Sequence, residues 1–113
     1  MAIQSINPHN NTENASFEAW SDTVIKQKID LAHTTYLEWS KTSFEHRADL
    51  FHALADIIES DIDELAELQT REMGMLLSAS KAGLKSTVHL IRWFADNAGT
   101  ILQDNEFERD GEK

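Results

Sequence analysis

Cysteine is absent from the 113 residues. That removes disulfides, thiolate metal sites and thiol nucleophiles at one stroke. It also fits a reducing compartment, so the cytoplasm is the expected location. Glycine is scarce, at four residues, and no Gly-rich loop is present to cradle a phosphate. Basic residues number ten against twenty acidic ones, for a formal net charge of -10. Such a chain repels phosphate backbones, which excludes nucleic-acid binding through a basic patch. No apolar run approaches the length that spans a bilayer, and the opening residues lack a charged-then-apolar leader, so no membrane partner is expected. The glycosylation sequons Asn10-Asn11-Thr12 and Asn14-Ala15-Ser16 are read as chance matches in a chain with no such leader.

What is present is enough apolar material for one modest core, 41% of the residues. Residues 1–20 stand apart as a segment. Ala2–Ile6 alternates, Asn7-Pro8-His9-Asn10-Asn11 interrupts, and Asn14–Trp20 alternates again. An Asn/Pro break between two alternating runs predicts a β-hairpin, and a lone ribbon needs something to lean on.

From Ser21 the period becomes helical, and residues 21–102 form one helical region. Ile25, Ile29, Ala32, Tyr36 and Trp39 share a face, with Ser21 or Asp22 as the cap and an end near Lys41-Thr42. Thr42 and Glu45 have capping-box spacing, and the next helix carries Phe44, Ala48, Phe51, Ala55 and Ile58, apolar over so wide an arc that it should be central. The run Glu59-Ser60-Asp61-Ile62-Asp63-Glu64 reads as a bend and a fresh helix start. A helix through Ile62, Leu65, Leu68 and Met73 then stops at Gly74. The last helix is expected from about Ser78 to Asn97, with Leu84, Val88, Ile91, Ala95 and Ala98 on one face and Gly99 as terminator. Residues 103–113 are a charged tail or connection. The fold class is therefore mainly α, three to four helices behind a short N-terminal hairpin.

No self-sufficient catalytic site emerges from the residues. Among His9, His33, His46, His52 and His89 no two are spaced to bind a metal from one helix face. His46 and Asp49 can share a face, but such a pair on a helix reads as solvated surface. The acidic run lacks the alternating ligand spacing of a calcium loop. Trp39, Trp93, Tyr36 and Phe94, at helical spacing, read as core.

The order of short blocks says more. Ser5-Ile6-Asn7-Pro8 resembles the opening of the aldehyde dehydrogenase superfamily. Thr42-Ser43-Phe44 with Arg47, Leu50–Ile58, Glu72-Met73-Gly74 and Arg92-Trp93-Phe94-Ala95-Asp96-Asn97-Ala98 resemble later blocks of the same family, in the same order. The likeness covers about residues 3 to 102 and is closest to the succinate-semialdehyde dehydrogenase-like branch.

The resemblance implies the N-terminal part of a longer α/β enzyme, ahead of its dinucleotide-binding sheet. In that family a cysteine thiolate attacks the aldehyde, hydride passes to NAD or NADP, and a glutamate activates water to cleave the thioester. Those residues have no counterpart here, so this chain is expected to have no catalytic residues, to hold no cofactor and to be inactive by itself. The family also implies an alkali-cation site at Glu72 with the main chain of Ser5 or Ile6. The bland alternative is that Glu72 ends a helix or pairs with Arg71 or Lys41. Gly83 and Thr87 match positions that line the family's substrate funnel; read plainly, they are a weak helix residue and a surface hydroxyl. Met75 and Leu76 replace the family's lysine and proline, which suggests a more continuous turn. Gly83 and Lys85 stand where the close branch usually carries acids. Apolar surface is expected around Trp20, Trp39 and Trp93, covered by a homo-oligomer or by the remainder of the parent enzyme. The rival reading is a stand-alone helical interaction module without chemistry.

Overall fold

The expected hairpin forms, with a second strand that begins at Glu13 and ends at Glu18, short of Trp20. In the computed structural model, which describes residues 2–104, strands β1 (Ala2–Ile6) and β2 (Glu13–Glu18) pair antiparallel. The register runs Ala2 to Glu18, Ile3 to Phe17, Gln4 to Ser16 and Ser5 to Ala15, then slips so that Ile6 meets Glu13. Asn14 is the extra residue of this bulge, turned out of the ladder.

The turn between the strands is built by asparagine. Asn7 Oδ1 accepts from the His9 amide at 2.9 Å, and Asn10 Oδ1 accepts from the Thr12 amide and hydroxyl. Asn11 adopts φ 58°, the left-handed conformation that asparagine tolerates better than most residues.

Four helices follow among the described residues: α1 (Asp22–Trp39), α2 (Phe44–Ser60), α3 (Ile62–Met73) and α4 (Leu77–Ile101). Ser21 caps α1, its hydroxyl accepting from the Val24 amide. The cap of α2 is Ser43, accepting from the His46 amide, not Thr42. With Ser43 at the cap the third helical position is His46, so the expected capping box with Glu45 does not form. Thr42 instead donates its hydroxyl to the Trp39 carbonyl at 2.7 Å.

The bend expected at the acidic run falls at Asp61, where φ −102° and ψ 13° break α2 from α3. Gly74 ends α3 in the left-handed conformation, φ 69°. The turn to α4 is a true break, because Leu76 is extended at ψ 134°; losing proline has not made it continuous. Gly99 does not stop α4, which runs on to Ile101. A Cβ there would lie 3.5 Å from the Phe44 Cβ, in ordinary contact with the start of α2. Of the expected tail, residues 105–113 lie outside the described residues.

The core is a narrow seam of small side chains. Ala55 of α2, Ala66 of α3 and Ser80 and Val88 of α4 are buried. Ala48, Ile58, Ile62, Leu65, Leu84, Ile91, Ala95 and Ala98 flank them half-buried. The α4 face expected from the sequence is the one that packs. Helix α2 lies along α4, and α3 folds back on the first half of α4.

α1 buries nothing. Its face of Ile25, Ile29, Tyr36 and Trp39 stays open, as do Trp93 and Phe94. The four aromatic residues read as core are therefore surface within this chain, Trp39 touched only along one side by His46 and Arg47 of α2. Exposure around Trp20, Trp39 and Trp93 is as anticipated. The radius of gyration, 20.4 Å over extents of 68 × 40 × 26 Å, compares with about 13 Å for a compact chain of this length.

Candidate functional site

The hairpin leans on the C-terminal end of α3, where the cation site was expected. Ser5 donates its hydroxyl hydrogen to Glu72 Oε1 at 2.9 Å, across 67 residues of sequence. The bulged Asn14 donates its amide to the Arg71 carbonyl at 3.1 Å and lies 3.4 Å from the Ser5 hydroxyl. That carbonyl belongs to the last turn of α3, one of the four a helix cannot satisfy internally. The Pro8 ring closes over Gly74, its Cγ 2.9 Å from where a Cβ would stand. The bulge, the turn proline and the glycine stop thus meet at one corner, with Glu72 on its rim.

Glu72 takes Ser5 as its hydrogen-bond partner, while Lys41 pairs with Glu38 at 2.9 Å. Ile6 follows Ser5 across the bulge. A carboxylate and a hydroxyl are donors of the kind a hard cation takes. Such an ion gathers about six oxygens or more, and no cluster of three acidic or histidine side chains exists among the described residues. The corner offers a cation ligands of the right kind, one carboxylate and one hydroxyl.

Gly83 and Thr87 lie together on an exposed face of α4. The Thr87 hydroxyl donates back to the Gly83 carbonyl at 3.0 Å, and a Cβ on Gly83 would meet nothing within 4 Å. Both positions border open space.

Sequence reasoning missed the ion pairs that bind the helices. Arg92 of α4 reaches Asp56 and Glu59 of α2, both at 2.7 Å. Lys81 of α4 reaches Asp63 of α3 at 2.7 Å. The Arg92 guanidinium, by its hydrogen bond and then its charge, holds the Glu59 carboxyl below its ordinary range. Lys81 does the same for Asp63, and the two acids push Arg92 upward in return. The acidic run is thus a bend with two of its carboxylates, Glu59 and Asp63, tied from α4. The histidine–carboxylate pair that forms is His52 with Asp96, at 2.9 Å across 44 residues, while His46 sets its ring against Trp39. The packing of α4 on α2 and α3 brings the ion-paired groups together, and no local spacing announces it.

Family comparison agrees with this architecture. The Aldehyde dehydrogenase family profile matches residues 1–113. Among curated relatives, succinate-semialdehyde dehydrogenase [NADP(+)] 1 of Mycobacterium tuberculosis is 35% identical over 104 residues, 92% of this chain and 23% of its own length. Among solved structures, a betaine aldehyde dehydrogenase point mutant of Staphylococcus aureus, in complex with NAD+, superposes with a TM-score of 0.81 at 25% identity, covering 88% of this chain and 21% of that one. HpcC of Thermus thermophilus shares the fold, with a TM-score of 0.87 at 22% identity over 97% of this chain and 21% of that one. The chain belongs to the aldehyde dehydrogenase family. It spans about a quarter of the length of the curated relatives it matches.

Proposed function

We propose that these residues are the N-terminal part of an NAD(P)-dependent aldehyde dehydrogenase whose substrate is succinate semialdehyde. The observation that carries the reading is the 35% identity to NADP-dependent succinate-semialdehyde dehydrogenases across 92% of the chain. Within that enzyme, residues 1–20 are the hairpin segment, 21–102 the helical region and 103–113 the connection onward. The open faces of α1 and of Trp93 and Phe94 meet the remainder of the enzyme or a second subunit, in the cytoplasm. Glu72 and the main chain of Ile6 contribute to a cation site completed by oxygens from elsewhere. Gly83 and Thr87 border the aldehyde's approach.

Residues 1–113 contain no cysteine, so they cannot form the family's thiohemiacetal and are inactive alone. The test is reduction of NADP+ or NAD+ by the purified chain with succinate semialdehyde. No reduction is expected, and turnover by a pure sample overturns the reading.

A second reading, a stand-alone helical interaction module, draws support from the wholly open apolar face of α1. The reading frame beyond the Lys113 codon separates the two. A nucleotide-binding turn and a cysteine there support the enzyme, and an immediate stop codon supports the module.

A further inference from the structure

α1 is a strut with no packed face, so its direction must be set at its ends. At the C-terminal end the last carbonyls of the helix need partners, and its last turn carries no basic residue. Local donors meet them first: the Ser40 amide bonds the Tyr36 carbonyl, the Lys41 amide that of Glu38 and the Thr42 amide that of Trp39. A further donor comes from α2. Arg47 donates Nη2 to the Trp39 carbonyl at 3.0 Å and to the Ser40 carbonyl at 3.3 Å, and donates Nε to the Thr42 hydroxyl at 2.8 Å. Thr42 in turn donates to the same Trp39 carbonyl. The guanidinium also lies over two rings, 5.5 Å from the Trp39 centroid and 5.8 Å from that of Phe44.

One half-buried side chain therefore grips the end of α1, the joint and the start of α2 together. We infer that Arg47 is a positioning residue that fixes the angle between α1 and α2, and so fixes where the apolar face of α1 points. A cation at a helix C-terminus is favourable in itself. Here it sits on the neighbouring helix, so its bonds to the Trp39 and Ser40 carbonyls form together only in one particular crossing geometry. The planar fork matters because three acceptors and two ring faces are engaged at once, which an ammonium cannot reproduce. This inference does not rest on the proposed dehydrogenase reading.

The lack of native cysteine makes the test clean. Nitroxide labels on Gln27→Cys and Ser86→Cys, both at exposed positions, report the distance from α1 to α4 by pulsed electron resonance. A second pair, Asp49→Cys with Ser86→Cys, reports α2 to α4 as the control. With Arg47 present the first pair should give one narrow distribution. Arg47→Ala should roughly double its width while the control pair stays narrow, as expected of an element freed locally. Arg47→Lys should fall between. A broad distribution with Arg47 present, or equal widths with and without it, overturns the inference. If Arg47→Ala also broadens the control pair, Arg47→Lys decides: added width in the first pair alone supports the pin, and no added width refutes it.

Discussion

Pro8 and Gly74 are in contact at the corner where the hairpin meets α3, the proline Cγ standing 2.9 Å from the place a Cβ on Gly74 would occupy. Two constraints coincide at that glycine. Its φ of 69° disfavours any side chain, and the space a side chain needs is already filled.

Gly74→Ala should therefore destabilise the chain by about 2 kcal/mol, the left-handed conformation costing roughly 1–2 kcal/mol for an L-residue and the proline contact adding to it. Urea unfolding measures the change. An unaltered midpoint would show that the Pro8 ring moves away freely.

Ser5→Ala removes the hydroxyl shared by Glu72 and Asn14. The groups around it remain open to water, so the loss should be no more than about 1 kcal/mol. Amide exchange in β1 should nevertheless quicken, because the hairpin has few other holds on the helices. Unchanged β1 exchange would mean the Pro8–Gly74 contact anchors it alone.

Gln69 Oε1 is buried and has no hydrogen-bond partner among the described residues. Gln69→Met keeps the shape and removes the orphan acceptor. It should be neutral or stabilising by up to about 1 kcal/mol, as a thermal melt would reveal. A clear loss of stability would show that the oxygen has a partner in solution.

The ties from α4 make stability depend on acid. Glu59 and Asp63 have folded pKa values below their ordinary ones. Their contribution is thus fully present above the ordinary carboxylate range and fades as pH falls through the lowered folded values. Arg92→Gln should flatten the part of this acid loss that belongs to Glu59, and Lys81→Gln the part that belongs to Asp63. Salt at 1 M should weaken both ties, the screening length shrinking to about 3 Å. Urea midpoints across pH for the three proteins provide the check. Parallel curves would refute the assignment.

Ala55→Leu should cost about 1–3 kcal/mol by overpacking the α2–α4 seam, where Ala55 has no exposed surface. A midpoint equal to that of the native chain would mean the seam has slack.

The sequence speaks most clearly where one local rule decides. Asn7 to Asn11 forms a turn because asparagine side chains bond their own backbone. Gly74 stops α3 because it alone accepts the left-handed φ at little cost. Leu84, Val88, Ile91, Ala95 and Ala98 face the seam because 3.6-residue periodicity puts them there. The misreadings arise where two rules compete or where a distant partner decides. Thr42 and Ser43 both offer a capping hydroxyl, and Thr42 is drawn to the Trp39 carbonyl and Arg47, leaving Ser43 as the cap. Gly99 resembles a stop, but it packs beside Phe44 within the helix, which runs on to Ile101. Tyr36 and Phe94 have the spacing of core residues without a described element to bury them. At the candidate corner, Glu72 could be singled out by family likeness. The same likeness named the main chain of Ser5 or Ile6 beside it, but the Ser5 hydroxyl as the partner and the Asn14 bulge are set by tertiary contacts that short motifs do not encode.

The seam of alanine, serine and valine also governs how this chain responds to heat and denaturant. Little hydrocarbon leaves water when such side chains pack, so little is returned to it on unfolding. The heat-capacity increment should fall below the ~12–15 cal/mol/K per residue of ordinary globular proteins, and the urea m-value should be correspondingly small. Its free-energy curve against temperature should be a low, flat arch, sharpening only when a partner surface closes over α1.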